Sequence, residues 1–307
     1  MNSMPVVLDR RQLLAAFAAG ASLAPGVSMF AQPRMPVRPI PGTDETLPIV
    51  GLGSTRPVMA LPELGVERVA AIVETLFSHG GRMVDTWPRF PENDAAFGEI
   101  LSRAPWRDEL FVAINLADAD GYAGLGRFDQ LVADYGRGQI DLLNVGSLIG
   151  LDTLWPELRR LRDAGRARYI GVTAAQAALY GELETFLGRE QPDFVMVNYS
   201  VTEREVEQRI LPMLVDKGIA VLVSRPFING AYFERLENVA LPEWTAAFDC
   251  ASWAEFSLQY ILANPAVTCV LTETTNPLHM AENALTAFKP VPDAPARQRM
   301  GQFIDAL

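Results

Sequence analysis

Residues 140–173, IDLLNVGSLIGLDTLWPELRRLRDAGRARYIGVT, contain a strand, a helix and a second strand in direct succession. Ile140 to Ser147 is an apolar run with too few polar side chains to leave one face in water, the pattern of a strand covered on both sides. Leu154 to Ala164 spaces its apolar residues three and four apart, the helical period, and Gly165 stops it. Ala167 to Thr173 is apolar again. Two strands joined by a helix of that length lie parallel in one sheet.

The same rhythm extends in both directions. Further strands are expected at Leu47 to Ser54, Met83 to Thr86, Leu110 to Asn115, Phe194 to Ser200, Ala220 to Pro226 and Val267 to Glu273. Helix-period stretches lie between them at Leu64 to His79, Asp94 to Arg103, Gly124 to Tyr135, Ala175 to Leu187, Arg204 to Lys217 and Trp253 to Ala263. Eight alternations predict an α/β fold, a single closed (β/α)8 barrel over residues 45–307, rather than an open doubly wound sheet. Gly51-Leu52-Gly53 runs into Ser54-Thr55-Arg56 and so lacks the glycine-rich turn of a Rossmann domain. In such a barrel, chemistry belongs to the loops after the carboxyl ends of the strands.

Composition narrows the function. The 307 residues are 49% hydrophobic and 21% charged, with 26 basic against 37 acidic residues and a net charge of −11, so the surface repels phosphate backbones and nucleic acid is not a partner. Two cysteines and two histidines are too few for a Cys/His metal site, and none is expected. Cys250 and Cys269 are expected as free thiols. Lys217 and Lys289 are the only lysines.

The amino terminus reads as a separate segment. Asp9-Arg10-Arg11-Gln12-Leu13-Leu14 precedes the alanine-rich run Ala15 to Ala31, and together they resemble a twin-arginine export signal over 1–31. The alternatives are a loose amphipathic helix or a membrane anchor, and Gly20, Pro25 and Gly26 make a poor spanning helix. The expectation is a processed protein exported to the periplasm, with no stable membrane insertion, whose proline-rich residues 32–44 form an extended linker. Without 1–31 the chain carries −12, so the acidity belongs to the folded part.

The strand ends Leu47-Pro48-Ile49-Val50-Gly51-Leu52-Gly53, Val84-Asp85-Thr86, Ile170-Gly171-Val172, Val197-Asn198-Tyr199-Ser200, Arg225-Pro226-Phe227 and Val267-Thr268-Cys269-Val270-Leu271 resemble the aldo-keto reductase family, and its exported bacterial branch in particular. The resemblance implies hydride transfer from a nicotinamide cofactor to a carbonyl. A tyrosine supplies the proton, a lysine paired with an aspartate lowers its pKa, and a histidine orients the substrate. Asp85 keeps the aspartate. Phe90 stands at the tyrosine position, Asn115 at the lysine and Gly146 at the histidine, so three of four catalytic groups are replaced. Tyr122 and Tyr135 are candidate substitutes for the phenol, and Arg56 and Arg89 for the partner of Asp85.

The resemblance also assigns cofactor contacts. Thr173, Arg225, Phe227, Thr274, Glu282 and Asn283 are the retained candidates, the last two on a helix at the adenine end. At the nicotinamide end Ala174 and Met196 replace polar contacts. Glu273 stands where the 2′-phosphate would be received, which disfavours NADP and leaves NAD as the cofactor, if one binds at all.

The function expected from these substitutions is an aldo-keto reductase family protein with reductase chemistry lost or strongly weakened, keeping a small-molecule or protein-binding role. One alternative is an active NAD(P)-dependent oxidoreductase with a non-standard proton donor. Another is an interaction or assembly protein that uses its acidic surface.

Overall fold

The computed structural model describes residues 34–307; the export segment expected over 1–31 lies outside them. A compact unit runs from Met35 to Leu307. It opens with β1 (Val37–Pro39), antiparallel to β2 (Thr46–Pro48), so part of the stretch read as a linker is paired. Eight parallel strands then close a barrel: β3 (Val50–Gly53), β4 (Met83–Thr86), β5 (Phe111–Leu116), β6 (Ile140–Val145), β7 (Ala167–Ala174), β8 (Phe194–Asn198), β9 (Ala220–Ser224) and β10 (Cys269–Thr272). β10 pairs with both β9 and β3, so none of the eight is left as an edge.

Each strand is flanked by helix because its neighbours in sequence are amphipathic. The helix Leu151–Asp163 buries Leu151, Leu154, Trp155, Leu158 and Leu161, a stripe at three and four spacing turned toward the sheet. The large core between sheet and helices takes up these faces. Inside the barrel, Met83, Phe111, Leu142, Tyr169, Phe194, Met196, Leu222 and Leu271 form a second apolar cluster. Ile40 and Leu47 belong to it, so the β1–β2 hairpin plugs the amino-terminal end. Arg38 of that hairpin donates to the carbonyls of Leu262, Asn264 and Val267, fixing the chain that leaves the helix Trp253–Leu262. Cys250 and Cys269 are buried free thiols.

The sequence reading missed several elements. Short helices at Thr55–Met59 and Leu61–Leu64 follow β3, another at Ala231–Arg235 follows β9, and Ala294–Asp305 closes the chain.

Candidate active site

Alternation along a strand decides which residues face the barrel axis. Met83 lies in the interior cluster, so Asp85, two positions on, also faces inward. The same count from Ala113 and Leu142 brings in Asn115 and Asn144, and a count of four positions from Tyr169 brings in Thr173. The apolar plug therefore gives way to a polar ring at the carboxyl ends of the strands.

Asn115 ties the ring together. Its Nδ2 donates to Asp85 Oδ1 at 2.7 Å and to the Thr86 carbonyl at 3.0 Å, while the Thr173 hydroxyl donates to its Oδ1 at 2.8 Å. All three side chains are buried. An amide donates the bond that an ammonium would, but it brings no charge. Among the described residues no cationic group lies within ion-pair distance of Asp85: Lys289 pairs with Glu255, and Lys217 ends a helix facing away from the mouth. Arg56 and Arg89 do not pair with it either. The Arg56 backbone N–H donates to Glu273 Oε1 at 2.9 Å, and the Arg89 guanidinium stands 4.6 Å over the Tyr122 ring. Burial pushes the Asp85 carboxyl up to about 7, with the Asn115 bond opposing the rise and the Glu273 charge adding to it.

The remaining positions are filled differently. Phe90 stands at the N-cap of the helix Pro91–Leu101 and is 49% exposed, so about half of it lies in solvent. At Gly146 the space is taken: a Cβ there would come within 2.8 Å of Cη2 and Cζ3 of Trp87. The indole occupies the volume that a larger residue at 146 needs. Tyr135 is fully buried with its hydroxyl 3.4 Å from Thr86 Oγ1, on the outer side of β4, and burial drives its phenol well above the ordinary range. Tyr122 lies nearer the mouth, edge-on to Trp87 with ring centroids 5.9 Å apart, and accepts a bond from Arg89 Nη2 at 3.4 Å.

Beside this closed ring lies a cleft of about 600 Å³. It gathers five of the six residues expected at the cofactor, Arg225, Phe227, Thr274, Glu282 and Asn283, and leaves out Thr173. Phe227 and Phe233 pack at 5.1 Å, and Trp253 lines the same wall. Glu282 accepts from the Ser252 hydroxyl. At the inner end, Glu273 meets Arg56. The sequence reading missed Phe233, Ser252 and Trp253 as lining residues. It also missed Asn144, whose buried side-chain amide has no hydrogen-bond partner.

A parallel eight-stranded barrel, with a carboxylate at the second strand end and a cleft between the seventh and eighth strand ends, defines the class: a (β/α)8 barrel whose site lies at the carboxyl ends of its strands. The aldo/keto reductase family model matches residues 58–294, and the chain belongs to that family. Similar solved structures include a Bacillus halodurans aldo-keto reductase in its holo form, with TM-score 0.72 and 18% identity over 88% of this chain and 96% of that one. A Klebsiella pneumoniae aldo-keto reductase in complex with NADPH gives TM-score 0.70 and 16% identity over 86% and 93%. Another from the same organism, with NADP and acetate, gives 0.69 and 17% over 88% and 95%. At these identities the likeness establishes the fold.

Proposed function

We propose that this chain is an aldo/keto reductase family member whose carbonyl-reductase chemistry is silenced and whose barrel now serves ligand binding. The observation that carries this is the Asp85–Asn115–Thr173 chain: the partner of Asp85 is a neutral amide locked from both sides. Phe90 has no ionisable proton, and Trp87 fills the space over Gly146. Proton delivery by a tuned acid is worth roughly 10²–10⁴-fold in rate, and its loss removes most turnover. Arg225, Phe227, Thr274, Glu282 and Asn283 support a nucleotide at the adenosine end of the cleft. The relatives solved with NADPH and NADP agree with a nicotinamide cofactor for the family, and Glu273 favours NAD over NADP here. The Arg10-Arg11 motif and the run that follows support export to the periplasm.

Titrating the purified protein with NADH and NADPH, then adding an aldehyde, tests this reading: binding without oxidation of the cofactor is the expected result. A second reading, an active oxidoreductase with a displaced donor, is favoured by one feature, the Tyr122 phenol under the Arg89 guanidinium. Turnover abolished by Tyr122→Phe would establish it.

A further inference from the structure

The two halves of a dinucleotide site are unequal in this chain. The outer half is a cleft with an aromatic wall, where Phe227 also stacks on Tyr232 with centroids 6.5 Å apart and Trp253 stands edge-on to the same Tyr232 ring at 6.5 Å. A planar base fits such a wall. The inner half offers nothing comparable. Thr173 and Ala174 are wholly buried, Met196 is apolar and buried, and the one hydroxyl among them is given to Asn115.

Arg225 separates the halves. It follows β9 with φ 57°, and its guanidinium reaches past the end of β8, 3.7 Å from Glu203, to the Ala175 carbonyl beyond β7 at 3.5 Å. The side chain therefore bars the mouth across three strand ends, above the place where a second nucleotide's ring would have to enter. Ile228 and Asn229 share the left-handed backbone of Arg225, at φ 49° and 55°, so this loop is held in a conformation that non-glycine residues avoid. The guanidinium Nε is buried and has no partner, although the residue lines the cleft. Arg225 lines the cleft, and with Glu203 at 3.7 Å, beyond hydrogen-bond distance, its guanidinium can take an anion arriving along it. Glu273, which also lines the cleft, is already committed to the Arg56 backbone N–H.

We propose that the cleft takes a nucleoside diphosphate and not a dinucleotide, its terminal phosphate meeting Arg225, which closes the passage to the barrel mouth. This rests on reading the cleft as a nucleotide site and goes further in denying the nicotinamide half a place.

Calorimetric titration of the protein with adenosine, ADP and NAD⁺ tests it. ADP is expected to bind at least about tenfold more tightly than adenosine, since one charge-assisted phosphate contact is worth that much. NAD⁺ is expected to bind no more tightly than ADP. Arg225→Gly removes the guanidinium while suiting the left-handed backbone, and it should erase the advantage of ADP over adenosine. NAD⁺ binding about tenfold more tightly than ADP, or an ADP preference that survives Arg225→Gly, overturns the proposal alone. If none of the three ligands binds, the nucleotide reading of the cleft fails and takes this proposal with it.

Discussion

The Trp87 indole lies flush against Gly146, so near that a Cβ on residue 146 would stand 2.8 Å from two of its ring carbons. Trp87 follows Asp85 by two, just past the end of β4, and Gly146 follows Asn144 by two, just past the end of β6. The two positions meet at the mouth because alternate strands of such a barrel contribute side chains to one interior layer. The indole fills the space beside Gly146.

Gly146→His should therefore be rejected by the packing. The expected cost is roughly 1–3 kcal/mol of overpacking, read as a lower thermal midpoint. Trp87→Ala in the same chain should relieve most of it. A single Gly146→His variant as stable as the parent would show that the indole is not fixed there.

Asp85 makes stability depend on pH in a definite direction. Its carboxyl is held at about 7 against an ordinary 3.8, so over that window the unfolded chain is ionised while the folded chain keeps the proton. A raised carboxyl stabilises fully below the unfolded value, and that contribution is lost as pH rises through the folded one. Roughly 4 kcal/mol is involved at most. Asp85→Asn should therefore gain on the parent from about pH 4 to 7 in denaturant melts and keep a constant lead above that. A difference between the two proteins that stays constant with pH would contradict this.

Thr173→Val leaves the shape of the barrel intact and removes the hydroxyl that holds Asn115 Oδ1. A buried acceptor is then unpaired, at a cost of about 1–3 kcal/mol. Denaturant unfolding should show that loss. Unchanged stability would mean that the Asn115 amide is not locked from that side.

Arg38→Met tests the base of the barrel. The guanidinium serves carbonyls of Leu262, Asn264 and Val267 at once, so its removal should cost about 2 kcal/mol or more and speed amide exchange around Asn264. Exchange that rises only within the β1–β2 hairpin would place the effect elsewhere.

The barrel was legible because its strands are buried on both faces and carry unbroken apolar runs, as in Ile140–Val145, while a helix such as Leu151–Asp163 shows its stripe directly. The hairpin was legible only in part: the three residues Val37–Pro39 fall in the proline-rich stretch read as linker, and Thr46–Pro48 ran into the strand expected at Leu47 to Ser54. The last helix, Ala294–Asp305, carried a usable signal in Asp293, whose side chain accepts from the Ala296 N–H, followed by Pro295 in the first turn. At the site, the replaced residues Phe90, Asn115 and Gly146 could be named from the strand-end motifs. What fills the space they vacate could not. The contact of Trp87 with Gly146 depends on a rotamer across the barrel, and the reach of Arg225 on a left-handed backbone that no residue-level preference announces. Thr173 was expected to face a cofactor, and its hydroxyl turns to Asn115 because the amide there needs a donor.

The most direct test of a silenced site follows the hydride itself. The protein is incubated with NADH deuterated at the transferable position and with aromatic or aliphatic aldehydes, and the alcohol is examined by mass spectrometry for deuterium. With Asp85 facing a neutral amide and no phenol in place, label in the alcohol should not exceed that of a protein-free control. Deuterium transferred at a rate that falls in Asp85→Asn or Tyr122→Phe would contradict the account.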